Sequence, residues 1–335
     1  MPTVNVGALR DHCAGLLSDA GLPSEPAREA AELLLDADLR GLGSHGVAML
    51  PSYLDGLRRG AISQRIRAEV VADSGALVIL DAGHALGQLT SRQATTLAAD
   101  RARYGGIAAV GVRRAHHFGA ASTWSLRLAE TGLVGVTLSN SAPLMAAPGG
   151  NRPVIGNNPL SIAVLDDKGQ PMVADLAMSV GSVGSIRAAQ RAGSAIPPGW
   201  AVTGSGLPTE DPSEALAGAL VPMGGPKGFA LAVLIEVLTG VLTGGPFGDD
   251  VVRFSMHPDR PNNCAHLFLA INPVAVGLGD AMGEGIRRLA AQIQGDPAAG
   301  GTRVPGRWRA ELAAEANRSG VEVPGAVLAR LGWPT

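Results

Sequence analysis

The hydrophobic period changes twice along this chain, and those changes limit what it can fold into. Over the first sixty residues apolar side chains recur every three or four positions, as in helices with one buried face. From about residue 70 they gather in short runs bounded by turn formers, which is how buried strands read. Beyond residue 280 the helical spacing returns. Glycines punctuate the pattern: Gly21 closes a helix over residues 6–20, Gly41 and Gly43 close one that runs to Leu39, and Gly60 closes one that Pro51 begins. Ser24 reads as an N-cap with Pro26 in the first turn. Strands are expected at residues 70–71, 76–80, 107–112, 133–138, 161–165, 172–175 and 266–271. Further helices are expected at residues 88–104, up to Glu130, from Gly228 to Leu242, at 284–293 and from Glu311 onward. Residues 187–204 read as irregular, and 245–261 and 295–305 as loops or linkers. No repeat or low-complexity tract interrupts this order. The expected fold class is mixed α/β (α+β), with helical ends around a mixed middle.

Bulk properties narrow the function. The 335 residues suit one large domain or two smaller ones, and 46% hydrophobic residues supply a sizeable core. A net charge of −2 with no charged tail argues against nucleic acid or an anionic membrane as partner. Cys13 and Cys264 are isolated, which points to a reducing compartment without a disulfide framework. The first twelve residues lack a basic start and an apolar run, so no signal peptide is expected. No apolar stretch reaches the roughly 18 residues of a membrane span. The expectation is a cytoplasmic protein acting on a small molecule.

Candidate chemistry centres on Ser44-His45-Gly46, in a loop between glycines. An imidazole near its ordinary pKa of about 6.5 suits general acid work at neutral pH. A loop histidine is more often structural, but the Ser44 hydroxyl can bond either ring or substrate. Met49, one turn on, adds an apolar neighbour. His116-His117 directly follows a strand, where α/β proteins place functional side chains. Side chains adjacent on extended backbone point opposite ways, so at most one of the two faces a cleft. A metal site joining these histidines lacks ligand spacing, and no metal is expected. Three glycine-rich loops lie at Gly149-Gly150, at Gly156-Asn157-Asn158-Pro159 and at Gly224-Gly225-Pro226-Lys227-Gly228. Each can bring backbone N–H groups to a phosphate, but alone is more often an ordinary turn. Lys227, one of two lysines in the chain and just ahead of a helix, favours an anion site in the third. The strand at 266–271 followed by Gly277-Leu278-Gly279 and Gly283 imitates a dinucleotide fingerprint, but its spacing is wrong and Asn272-Pro273 interrupts the turn. Residue physics alone gives an α/β enzyme.

The ordered motifs carry more. The chain resembles the malate/L-lactate dehydrogenase family that includes ureidoglycolate and sulfolactate dehydrogenases, diketogulonate reductase and cyclic-imine carboxylate reductases. The resemblance rests on Ser44-His45-Gly46-Val47 with Tyr53, on His117-Phe118-Gly119, and on Gly132-Leu133-Val134-Gly135 running to Asn140-Ser141. Pro148-Gly149-Gly150, Gly156-Asn157-Asn158-Pro159, Asp175 with Ser179, Gly225 to Gly228 and Pro305-Gly306 extend it nearly end to end. It implies a homodimeric oxidoreductase using NADH or NADPH, with a non-Rossmann cofactor domain on a largely antiparallel sheet. Residues 76–244 would form that domain. Residues 1–75 with 245–335 would form a helix-rich region for substrate and dimer contacts. By resemblance, His45 is the proton donor or acceptor, with Ser44 and His117 beside the substrate. Met49, Tyr53, Asn140 and Ser141 would line the substrate pocket. The nucleotide would meet Pro171, Met172, Val173, Ala174, Asp175, Leu176 and Ala177, with Asn157, Asn158, Pro226, Lys227, Gly306, Arg307 and Trp308.

Three departures qualify this. The family's carboxylate-binding arginine is here Met49, which cannot make the bidentate pair of a guanidinium. Its acidic residue after Pro-Gly is here Arg307, which favours a 2′-phosphate and so hints at NADPH. The aspartate after Gly199-Trp200-Ala201 is missing, and Val202-Thr203 follow instead. The leading expectation is a reductase of a C=O or C=N group in a specialised biosynthetic route, less dependent on a substrate carboxylate. The alternatives are an ordinary 2-hydroxy-acid dehydrogenase with an arginine supplied from elsewhere, and a non-catalytic nucleotide- or ligand-binding subunit. Metal-dependent hydrolysis is a weaker third.

Overall fold

The computed structural model describes residues 1–295 and 302–334, so part of the expected linker at 295–305 lies outside the described residues. Its largest element is a seven-stranded sheet. The spatial order is Glu69–Asp73, Leu77–Asp81, Ile107–Ala115, Cys264–Ile271, Val134–Ser139, Leu160–Leu165, Pro171–Leu176. Only Leu77–Asp81 and Ile107–Ala115 pair in parallel, joined by the crossover helix Gly87–Gly105. The other five neighbours are antiparallel, so the expected largely antiparallel sheet is found.

Helices Gly87–Gly105 and Ala121–Ala129 cover one face of this sheet, burying Trp124, Leu128, Val110, Val112 and Phe268. Fully burying a side chain of such size stabilises the fold by about 1.5–3 kcal/mol. Close approach needs glycine at the seams. A Cβ on Gly87 would lie 2.1 Å from the His116 carbonyl oxygen, so this helix presses directly on the His116-His117 backbone. The opposite face packs Leu138, Leu267, Met178 and Ile235. A five-stranded sheet of short strands lies on that side, in the order Pro208–Thr209, Ala201–Val202, Ala219–Leu220, Met145–Ala146, Pro153–Ile155.

The chain ends build a separate core. Thr3–Val4 pairs with Val321–Glu322, and helices Val6–Asp19, Ser24–Leu39 and Leu50–Arg59 bury Leu9, Leu17, Leu34 and Leu50 with Val321 and Leu328.

Four local expectations change. Pro23 holds the cap position of Ser24–Leu39, so Ser24 is a helical residue and not its cap. Residues Val183–Ala192, expected to be partly irregular, form a helix whose first turn is bonded by Ser182. Glycines and serines around it mask its short apolar face. The helix expected to reach Leu242 is α-helical over Pro226–Glu236 and then widens to a π-turn over Val237–Val241. Cys264–Ile271, assigned by the expected division to the terminal region, instead lies at the centre of the main sheet, bonded on both edges.

Candidate active site

The His45 loop is shaped by glycine and by one carboxylate. Helix Ser24–Leu39 stops at Gly41, which has φ of 69°. The His45 N–H then donates to the Leu42 carbonyl at 2.8 Å, making a tight turn ahead of the short helix Val47–Met49. Asp38 Oδ2 accepts the Val47 N–H at 2.7 Å. A Cβ on Gly46 would lie 2.1 Å from that same oxygen, so only glycine lets the loop sit on the carboxylate. Burial pushes the Asp38 carboxyl up to about 7, against the lowering effect of the Val47 N–H.

His45 is half-buried at the loop tip, with Ser44 Oγ 2.9 Å from its Nδ1. Among the described residues Nε2 has no protein partner. Burial lowers the pKa of the ring, the nearby Asp175 charge raises it and Arg309 lowers it, with a net lowering. Arg309 is anchored by an Nη1 bond to the Arg40 carbonyl at 2.9 Å.

His117 stacks on His45 with ring centroids 5.9 Å apart and planes at 22°. Its Nδ1 takes the Gly119 N–H at 3.4 Å, so that nitrogen is an acceptor. The Tyr53 hydroxyl, 2.6 Å away, must therefore donate to it, while accepting from Gln88 Nε2 at 3.3 Å. The chain Gln88–Tyr53–His117 thus fixes a neutral ring carrying its proton on Nε2. Burial and the neighbouring histidines hold the His117 pKa well below its ordinary value, which keeps it neutral. Tyr53 itself is fully buried, with its hydroxyl engaged by His117 and Gln88. His116 is buried and its carbonyl accepts from His266 Nε2 at 3.1 Å. The pair therefore divides, as backbone alternation requires. Phe254 completes the aromatic wall, 5.5 Å from the His117 ring and 6.0 Å from Tyr53.

The expected nucleotide segments converge in part. Val173 N–H donates to the Pro305 carbonyl at 3.0 Å, and a Cβ on Gly306, where φ is 84°, would meet Val173 at 2.7 Å. Pro171 through Ala177 therefore lies against Gly306, Arg307 and Trp308. Asp175 accepts from Ser122 Oγ at 2.5 Å, and its charge reaches His45, linking this edge strand to the His45 loop. Lys227 is exposed in the first turn of Pro226–Glu236, behind Gly224 and Gly225 with φ of 64° and 62°. Among the described residues it has no ion-pair partner. This positive helix start with uncapped N–H groups fits a phosphate.

Other expected contacts are corrected. Arg307 pairs with buried Asp166 at 2.8 Å, so its charge is already neutralised and the reason to favour NADPH is removed. Asn158 donates to the Ala232 carbonyl and to Glu236, and accepts the Ser141 N–H. Asn140 donates to Glu236 and the Pro246 carbonyl, and accepts the Ala265 N–H. Both amides are buried, and their polar atoms bond within the protein and shape the loops. Ser141 bonds Asn157 side chain to side chain at 3.0 Å and stays partly exposed. Met49 packs, partly buried, against the N-terminal core. Among the described residues no three His, Cys, Asp or Glu side chains are grouped to hold a metal ion.

Sequence reasoning missed Asp38, Gln88, Phe254 and Glu236. Glu236 alone left a signal, as the one acidic residue in an otherwise largely apolar helix. The other three act across long sequence separations.

The malate/L-lactate dehydrogenase family matches residues 4–332. A (2R)-3-sulfolactate dehydrogenase (NADP(+)) of Chromohalobacter salexigens is 36% identical over 315 residues, covering 94% of this chain and 92% of that protein. A ureidoglycolate dehydrogenase (NAD(+)) of Escherichia coli K12 is 34% identical over 259 residues, covering 77% and 73%. The crystal structure of a Δ1-piperideine-2-carboxylate reductase from Pseudomonas syringae superposes with a TM-score of 0.88 at 32% identity, covering 99% of each chain.

Proposed function

Because the chain belongs to the malate/L-lactate dehydrogenase family, and is thus an NAD(P)-dependent oxidoreductase, we propose that it reduces a C=O or C=N group with His45 as the proton donor. The observation that carries this is the state of the His45 ring: Ser44 on Nδ1, His117 stacked beside it, and Nε2 open. A bound nicotinamide cofactor supplies a hydride to the electrophilic carbon. His45 gives its Nε2 proton to the substrate oxygen or nitrogen, and burial, which weakens its hold on that proton, assists the transfer. Ser44 fixes the ring plane. His117 offers an Nε2–H to orient the same heteroatom, held by Tyr53. Lys227 and the start of Pro226–Glu236 would hold phosphate, with Asp175 and the Gly306 turn against the remainder of the nucleotide. NADH and NADPH both remain open, as the relatives' names include each.

Met49 supports a substrate that takes no carboxylate contact at that position, since it packs into the core. A second reading, an ordinary 2-hydroxy-acid dehydrogenase with its arginine supplied from elsewhere, draws support from Arg253, next to the Phe254 wall. A panel of 2-oxo acids, uncharged ketones and cyclic imines, each with NADH and NADPH, separates the two. We assign the sheet to the cofactor, Cys264–Ile271 included, and the terminal helices to substrate enclosure. We also propose a homodimer, supported by the exposed apolar face Leu231, Leu234, Leu238 and Val241. Buried, unpaired Cys13 and Cys264 support a reducing, cytoplasmic setting.

His45→Ala should lower turnover by about 10²–10⁴-fold while NAD(P)H binding, read by nicotinamide fluorescence, is kept. Unchanged turnover refutes the assignment of His45.

A further inference from the structure

Loop 253–261 holds one aromatic side chain against the histidines of the site. Its ends are clamped twice: the Val252 N–H donates to the Asn262 carbonyl at 2.8 Å, and the Asn262 amide donates back to the Val252 carbonyl at 2.6 Å. Asn262 is itself buried. Inside the clamp the Met256 and His257 N–H groups both donate to the Arg253 carbonyl, at 2.9 and 3.1 Å, and the Arg260 N–H donates to the His257 carbonyl at 3.1 Å. Just past the clamp the chain enters Cys264–Ile271, the central strand of the main sheet. A compact loop with bonded ends on a rigid strand keeps a set position.

The side chain it sets is Phe254. The ring lies 5.5 Å from His117 at a tilt of 35°, 6.0 Å from Tyr53 and stacked at 21°, and 4.8 Å from His116, edge-on at 61°. Tyr53 and His116 are buried, so they back the ring from inside. Phe254, His117 and His45 each stay partly exposed, and both Phe254 and His45 contact the His117 ring. One patch of surface thus carries two imidazoles and an apolar ring. Aromatic residues form only 3% of the chain, so this grouping is not a matter of abundance. The His117 ring is fixed as neutral and gives Phe254 no cation to face. Met49, partly buried against the same N-terminal core as Phe254, adds apolar surface and no charge. A half-exposed ring beside hydrogen-bonding groups suits a ligand with an apolar body and one polar atom to orient it.

We propose that Phe254 determines substrate specificity, by stacking on a planar apolar group that the substrate carries next to its reducible carbon. This rests on the reductase reading above and names its substrate class as aryl-substituted ketones or imines. His45 and His117 meet the heteroatom, and Phe254 meets the ring. Two rings in an offset or tilted stack shield apolar area from water, a gain that a methyl group in the same place does not reach.

The test uses the whole protein saturated with whichever of NADH and NADPH it binds. It is titrated with two unreducible amides, phenylacetamide and acetamide, which differ by one phenyl group, and the melting temperature is read. Phenylacetamide should bind about tenfold or more tightly than acetamide, the range of apolar discrimination in a pocket. Phe254→Ala should remove most of that preference and leave acetamide binding unchanged. Phe254→Leu, which keeps an apolar surface but loses the flat ring, should fall between. A full preference for phenylacetamide in either variant overturns the proposal, as does a wild-type protein without that preference. A parallel loss of cofactor affinity, read by nicotinamide fluorescence, overturns it too, by making Phe254 a support for the whole site. Wild-type protein that binds neither NADH nor NADPH defeats the reductase reading instead, and this proposal falls with it.

Discussion

At the scale of single residues, the site works by restricting which nitrogen carries a proton. His117 is fixed as a neutral donor by the Gly119 N–H and the Tyr53 hydroxyl, and His45 is left able to change state. Tyr53→Phe keeps the buried ring but removes the bond to His117. We expect kcat to fall while the melting temperature drops by an amount worth about 1 kcal/mol, the usual net value of a hydrogen bond. A loss of stability without loss of kcat would make Tyr53 purely structural. The pH dependence has a definite sign. The His45 pKa is lowered from its ordinary 6.5, so the protonated form that we propose as the donor is depleted as pH rises from below that value. Reduction should slow with rising pH and the reverse oxidation should speed up, measured as kcat/KM in each direction. Ser44, His45 and His117 were legible in sequence as types and spacings. Asp38 was not, because its role depends on a turn that brings Val47 back over the helix end.

At the scale of elements, the loop between Ser24–Leu39 and Leu50–Arg59 is seated on the Asp38 carboxyl. The folded pKa of about 7 lies above the ordinary 3.8, so the native state holds its proton more tightly than the unfolded chain. Asp38 therefore subtracts stability as pH rises from about 4 to about 7, and the loss is complete above that window. Asp38→Asn retains an acceptor for Val47 and abolishes the charge. Its melting temperature relative to wild type should climb across that window; a flat difference would mean Asp38 is ionised throughout. Ser182→Ala removes the bond to the Ser185 N–H and should cost about 0.5–2 kcal/mol in denaturant unfolding. Long periodic elements such as Gly87–Gly105 were readable because burial repeats at the helical period. Val183–Ala192 was not, because few apolar residues and flanking glycines leave its period faint. The central place of Cys264–Ile271 was hidden for another reason. A strand's spacing shows that it is buried, but not which distant strands it joins.

At the scale of the whole molecule, the outer face of Pro226–Glu236 is an apolar feature left without cover among the described residues. Its inner face buries Ala232 and Ile235, while Leu231 and Leu234 face outward. Leu234→Glu with Leu238→Glu should shift the mass in sedimentation from dimer to monomer, without unfolding, if a second copy covers this face. An unchanged mass would place the contact elsewhere. The ribbon of Thr3–Val4 with Val321–Glu322 has a different consequence. During synthesis Val321–Glu322 leaves the ribosome long after the helices that surround His45. The core that seats the His45 loop can close only when that late strand arrives. His45 thus receives its working environment late, and the nascent chain should carry no reductive activity until Val321–Glu322 has emerged.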